Sequence, residues 1–271
     1  MNNKIISVDF FADFGMLKKP DTNEPVCLTF NMVHKPALLG ILGAIIGEKG
    51  FEKNGELPDY YKVFENLKLG ITPLKHENGN YQKTIIRFNN TTGFANEGEP
   101  QKINGKNVIP GEDVFFDEQT LIAPAFRCYL LTDNTNEKHQ KLVQYLNQVY
   151  AEYLPYLGKN EFSLWWENYQ EYSFSEFVPP NSFKINSLFI KEESLRDGKV
   201  QTYFLPFFNM SGSNGNTFSY FENLPVGYNT DLLQYDYKSF AFTDYDLQEK
   251  FKIPIEYPLV KLVTDEIIQL F

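Results

Sequence analysis

The residues of this 271-residue chain best suited to chemistry are its three histidines and three arginines. Each histidine neighbours a lysine, as His34-Lys35, Lys75-His76 and Lys138-His139. A metal-independent ribonuclease would use such a pair, with imidazole as general acid or base and ammonium stabilising the charge that builds up on a phosphorane-like centre. Adjacency in sequence does not fix geometry at a scissile phosphate, so ordinary solvated pairs are the favoured reading, most of all for Lys138-His139 on the expected solvent side of a helix. No histidine has a second ligand at metal spacing, no G-x-x-x-x-G-K-[ST] run is present, and nothing isolates a pair of carboxylates. Neither a catalytic residue nor a metal or other cofactor is therefore expected. Arg87 and Arg127 each fall on the less apolar face of a predicted strand. They are read either as a pair of RNA contacts on one sheet face or as ordinary salt-bridged arginines.

The elements that must hold these residues begin with a strand in which Ile6, Val8, Phe10, Ala12 and Phe14 alternate with more polar positions. A polar loop carrying Lys18, Lys19 and Pro20 leads to Asn31–Gly47, an apolar helix beginning near Pro36, whose fixed φ suits the first helical position. Gly40, Gly43 and Gly47 recur along it at spacings of three and four, a stripe that admits close approach by another backbone. Tight packing is its main expected role. Its N-terminus, beside His34 and Lys35, is also free to face a phosphate.

Tyr60–Leu74 reads as a strand and Tyr81–Phe88 as its hairpin partner, joined through an Asn78-Gly79 turn. Residues 91–118, punctuated by glycine and proline, form a long insertion. A strand over Leu121–Leu131 and a helix follow; Asn134 and Glu137 suggest a capping box, and Leu142, Leu146, Val149 and Tyr153 a stripe ended by Pro155. The PYLGKNEF segment reads as a last strand or turn. The order is that of a ferredoxin-like, RRM-like α+β unit. Past Trp166 short aromatic strands predominate, so the chain divides into residues 1–165, with a thumb insertion at 91–118, and a β-rich subdomain at 166–271. The tail from Pro258 to Phe271 fits helix or strand.

A net charge of −10 opposes indiscriminate binding to nucleic acid or anionic membrane, while leaving room for a local basic path. Cys27 and Cys128 have no metal-type spacing and fit buried thiols in a reducing compartment. No apolar run is long enough to span a bilayer as a helix, so a cytoplasmic protein without a membrane partner is expected.

The segments VDFFADFGMLKKP, KPALLGILGAIIG and YLGKNEF, in that order, resemble the fifth Cas family, the RAMP-superfamily subunit of type I CRISPR Cascade complexes that caps the 5′ handle of crRNA. The likeness covers about the first 165 residues. It implies an antiviral-defence protein that binds crRNA, contacts the backbone subunit (seventh Cas family) and the large subunit (eighth Cas family), and meets target DNA only indirectly. Lys18, Lys19, His34 and Lys35 become candidates to hold the handle, Arg87 and Arg127 further RNA contacts, and Phe94 a wedge in the thumb. Pro36, Gly40, Gly43 and Gly47 are expected to pack and position the helix. In the type I-C branch the homologue cuts precursor crRNA with a tyrosine, a lysine and a histidine. No such triad aligns here, which favours a non-catalytic subunit of type I-B character over a metal-independent endoribonuclease. The chain departs from the family in its lysine-based basic-Pro segment and its acidic net charge.

Overall fold

The alternation that begins at Ile6 folds as β1 (Asn3–Ala12), with Ile6, Val8, Phe10 and Ala12 turned into the main core. The computed structural model describes residues 3–20, 26–52, 55–89, 101–108, 115–191, 193–196, 199–202, 217–248 and 256–271. In chain order, β1 is followed by α1 (Lys35–Ile46), α2 (Asp59–Phe64), β2 (Leu69–Leu74), β3 (Lys83–Asn89), β4 (Phe115–Ile122) and β5 (Ala125–Asp133). After these come α3 (Glu137–Gln148), β6 (Leu164–Tyr172), β7 (Ser219–Asn229), β8 (Gln234–Thr243), β9 (Leu259–Leu262) and β10 (Ile267–Gln269).

The central sheet has the order β6-β1-β5-β2, and every neighbouring pair is antiparallel. One face of it packs on α1 and α3. The other is covered at one end by β9 and β10, where Ile5, Tyr129 and Tyr172 meet Val260, Leu262 and Ile268. The mixed α+β class expected from the sequence is what the chain adopts.

Helix α1 is apolar nearly all round because it is covered from two sides. Leu38, Leu42 and Ile45 belong to the same core as the sheet residues Val8, Phe126 and Leu130, and that core continues into Leu224 and Phe240 of the β7–β8 hairpin. Helix α3 needs only one apolar face, and Leu142 and Leu146 supply it. Both helices end in left-handed caps, Gly47 at φ 80° and Val149 at φ 52°.

Several expectations need correction. Tyr60–Leu74 is not one strand: Pro58 and Asp59 open the short helix α2, which buries Phe64 before β2 begins. The Asn78-Gly79 turn does form, with both residues at positive φ. Its flanks then part, β2 pairing with β5 and β3 with β4, so the predicted hairpin is absent. The last four residues of the insertion already belong to β4, held by its seven-residue register with β3, and 101–108 form a small hairpin. Asn136 caps α3, receiving the N–H groups of Lys138 and His139, in place of Asn134. The tail is strand, β9 and β10.

Tyr60 accounts for one glycine of the stripe, Gly43. A Cβ at Gly43 would overlap the Tyr60 Cβ, whereas one at Gly40 would lie 3.7 Å from the Tyr60 ring, an ordinary contact. Gly43→Ala is therefore expected to lower stability by about 1–3 kcal/mol through overpacking. Gly40→Ala should be neutral or stabilising by up to about 1 kcal/mol, from helix propensity. Parallel denaturant unfolding of the two variants checks the contrast.

Candidate nucleic-acid interface

The approach to α1 is built by one side chain and one carboxylate. Asn31 donates from Nδ2 to the Gly79 carbonyl at 2.9 Å, while its Oδ1 accepts from the Tyr81 N–H at 3.1 Å and from Lys83 Nζ at 2.7 Å. Glu222, on β7, accepts the backbone N–H groups of Asn31 at 3.0 Å and Met32 at 3.2 Å and the Tyr220 hydroxyl at 2.6 Å. Asn31 to His34 are consequently buried.

His34 is the N-cap of α1: its Nδ1 accepts the Ala37 N–H at 3.3 Å. Phe30 and Tyr235 meet its ring edge-on, with centroids 5.1 Å and 6.0 Å away. Burial drives the imidazole pKa down to about 3, so the ring is neutral at physiological pH. Lys35 points towards the Phe271 carbonyl, 3.4 Å from Nζ. Burial, and then Lys68, depress its pKa to about 8. The structure thus places these two residues in the packing at the start of the helix, where the sequence suggested an exposed phosphate contact.

An open groove of about 1140 Å³ runs along the remaining side of α1, over Pro36, Ala37, Gly40 and Ala44. Three stretches far apart in sequence meet there. Leu17 and Lys18 of the basic-Pro segment form one border, α1 the floor, and Tyr156, Gly158 and Lys159 another border. Main-chain bonds tie the borders together: the Met16 N–H reaches the Leu157 carbonyl at 3.1 Å. Gly158 sits at φ 85°, where a Cβ would overlap the Met16 carbonyl. Glu152 and Tyr153 donate their N–H groups to the Ile45 and Ala44 carbonyls, which seats Tyr153 beside the end of α1. Tyr60, Tyr61, Tyr228, Tyr235 and Phe51 supply further aromatic surface.

Charge in the groove is mixed. Lys159 pairs with Glu118 at 2.6 Å and Glu161 at 2.9 Å, and lies 4.5 Å from the Phe88 ring centroid. Lys49 pairs with Glu52. Lys18 is exposed, with no ion pair among the described residues. Lys19 turns away, 3.5 Å from Glu222 and over the Phe30 ring.

The arginines do not form a pair on one face. Arg127, on β5, makes a bidentate bond to the buried Asp9 of β1 at 2.7 and 2.9 Å, and Asn168 donates to the same carboxylate. Arg87, on β3, bonds Asp117 of β4 in the same way, in a separate sheet. On the far face of the central sheet the rings of Phe11 and the exposed Trp165 stack with centroids 6.2 Å apart. Phe94 lies outside the described residues. Of the helix glycines, Gly43 lies tight against Tyr60 and Gly47 ends α1, whereas Pro36, in the first turn, and Gly40 line the groove.

The tyrosines were not legible as a group because they come from a loop, the short helix α2 and the strands β7 and β8, which no periodicity links. The Tyr-Leu-Gly-Lys run was their one visible signal. All three histidines share one device, which spacing could not reveal. His76 Nδ1 accepts the Gly79 N–H at 3.0 Å and His139 Nδ1 accepts the Asp133 N–H at 3.1 Å, as His34 does with Ala37.

A histidine held neutral in the fold but free to protonate when unfolded stabilises fully above its unfolded value near 6.5, and that stability is lost as pH falls towards 3. Across this window His34 should cost about 1.4 kcal/mol per pH unit. His76 and His139 are shifted in the same direction by burial, so the wild type minus His34→Asn difference isolates what His34 contributes. Chemical denaturation from pH 7 to pH 4 should show a flatter acid limb in the variant.

No protein-family model matches the sequence, and no curated protein does. Solved structures are similar at low identity. A CRISPR protein from Archaeoglobus fulgidus matches at 12% identity over 98% of each chain with a TM-score of 0.47. A chain of a CRISPR RNA-guided surveillance complex matches at 10% over 93% of this chain and 92% of that one, also with a TM-score of 0.47. A chain of a type III-B Cmr-beta assembly bound to cognate target RNA and AMPPnP matches at 9%, over 91% and 86%, with a TM-score of 0.44.

Proposed function

We propose that this chain is a crRNA-binding subunit of a type I CRISPR Cascade complex, of I-B character, that holds the 5′ handle in the groove along α1. The observation that carries the reading is the convergence of three separated stretches, Leu17-Lys18, Pro36–Ala44 and Tyr156–Lys159, on that one groove. These are the stretches in which the sequence resembles the fifth Cas family. Aromatic faces beside lysines suit single-stranded RNA, since every base offers a π-face and every phosphate a charge. The β6-β1-β5-β2 order suits a ferredoxin-like RNA-binding unit whose edge strand β6 runs past the boundary expected at residue 165, and the chain beyond β6 would form its β-rich cover. The acidic remainder would face the backbone and large subunits, and the thumb at 91–118 the neighbouring backbone subunit.

The test is co-expression with candidate backbone and large subunits, followed by recovery of bound RNA. Wild type should retain repeat-derived RNA. Lys18→Glu should retain less and should lower the salt slope of binding by about 0.7, one phosphate contact. Lys19 is unsuitable for charge reversal, because a carboxylate there would confront Glu222. Recovery of no RNA would overturn the proposal, and specific cleavage of repeat RNA without metal would replace it with the endoribonuclease.

A further inference from the structure

Within the groove, His34 combines two properties seldom found together. It is only 7% exposed, yet its ring lines the groove. Its Nδ1 is an acceptor, engaged by the Ala37 N–H, so the neutral ring carries its proton on Nε2. None of the hydrogen bonds among the described residues uses that Nε2. No side-chain nitrogen or oxygen among the described residues is both sealed from solvent and unbonded, so this Nε2–H is within reach from the groove that His34 lines.

We infer that His34 Nε2–H, at the mouth of α1, is a base-reading donor that selects an unpaired RNA base by an acceptor atom on its edge. This deepens the proposed function and rests on it. A base suits the position better than a phosphate. The donor is neutral, and Lys49 and Lys159 are already paired with carboxylates. Tyr235, against the His34 ring, and Tyr61, whose hydroxyl accepts the Tyr228 N–H at 3.0 Å, place aromatic surface on the same side of the groove. A base stacked there would bring its edge to the imidazole. Acceptor atoms sit at different positions on the four bases, so a fixed donor discriminates among them where stacking alone does not.

The experiment measures binding of four single-stranded RNA homo-oligomers (A, C, G and U) to wild type, His34→Asn and Lys18→Glu. Asparagine retains the helix cap while withdrawing the Nε2–H. Wild type should bind one oligomer about tenfold more tightly than the weakest, and His34→Asn should bring the four within about twofold. Lys18→Glu should weaken all four by a common factor and leave the ranking intact. An imidazole nitrogen-15 NMR titration of wild type with its preferred oligomer should move the His34 Nε2–H signal. That measurement keeps the inference open to refutation even where the variant does not fold. An unranked wild type, a ranking unchanged in His34→Asn, or an unmoved Nε2–H signal, each with RNA still bound, overturns the subsite alone. No RNA binding by wild type overturns the functional reading and the subsite together.

Discussion

The carboxylate of Glu222 holds the arrangement together. It takes up the backbone N–H groups of Asn31 and Met32 from a strand almost two hundred residues further along the chain. A segment that would otherwise be a free loop becomes a fixed approach to α1. Charge-assisted bonds of this kind are stronger than neutral ones, and a buried carboxylate left without its donors is costly. The Asn31 side chain extends the same fixation to the Gly79 turn and to Lys83. The cap by His34, the position of Pro36 and the line of the groove all follow from where this segment is held.

Much of the fold was legible because its signals are local. The period of β1, the proline-led start of α1 and the Asn-Gly turn depend on backbone preferences that a short window contains. What was missed required pairing over distance. The turn at Asn78-Gly79 formed as expected, yet its arms joined different sheets, because β5 and β4 offered each of them a better partner than the other arm. Helix α2 was hidden because a six-residue helix and a strand look alike in an aromatic stretch such as Asp59–Phe64.

The site was half legible for a related reason. Residue types named Lys18, His34, Lys35 and the arginines, but type does not report burial or partners. Arg127 and Arg87 were taken up by Asp9 and Asp117, carboxylates that no spacing rule links to them. His34 kept its place beside the groove with a changed character, from a prospective cation to a neutral ring whose Nδ1 receives a backbone N–H. The aromatic lining became visible only once helix α2, the β7–β8 hairpin and the segments around Phe51 and Tyr156 were brought together.

The two-sided burial of α1 also bears on how the molecule assembles. Its sheet-facing side is covered by residues available early, up to β5, but its other side waits for Tyr220, Leu224, Phe240 and Phe271. On the ribosome an apolar helix would emerge long before its cover is synthesised. Contacts spanning some two hundred residues slow folding and prolong the life of partly covered intermediates. This chain should accordingly depend on holding factors during synthesis. Its yield should be more sensitive to changes in the β7–β8 hairpin than the modest size of that element suggests.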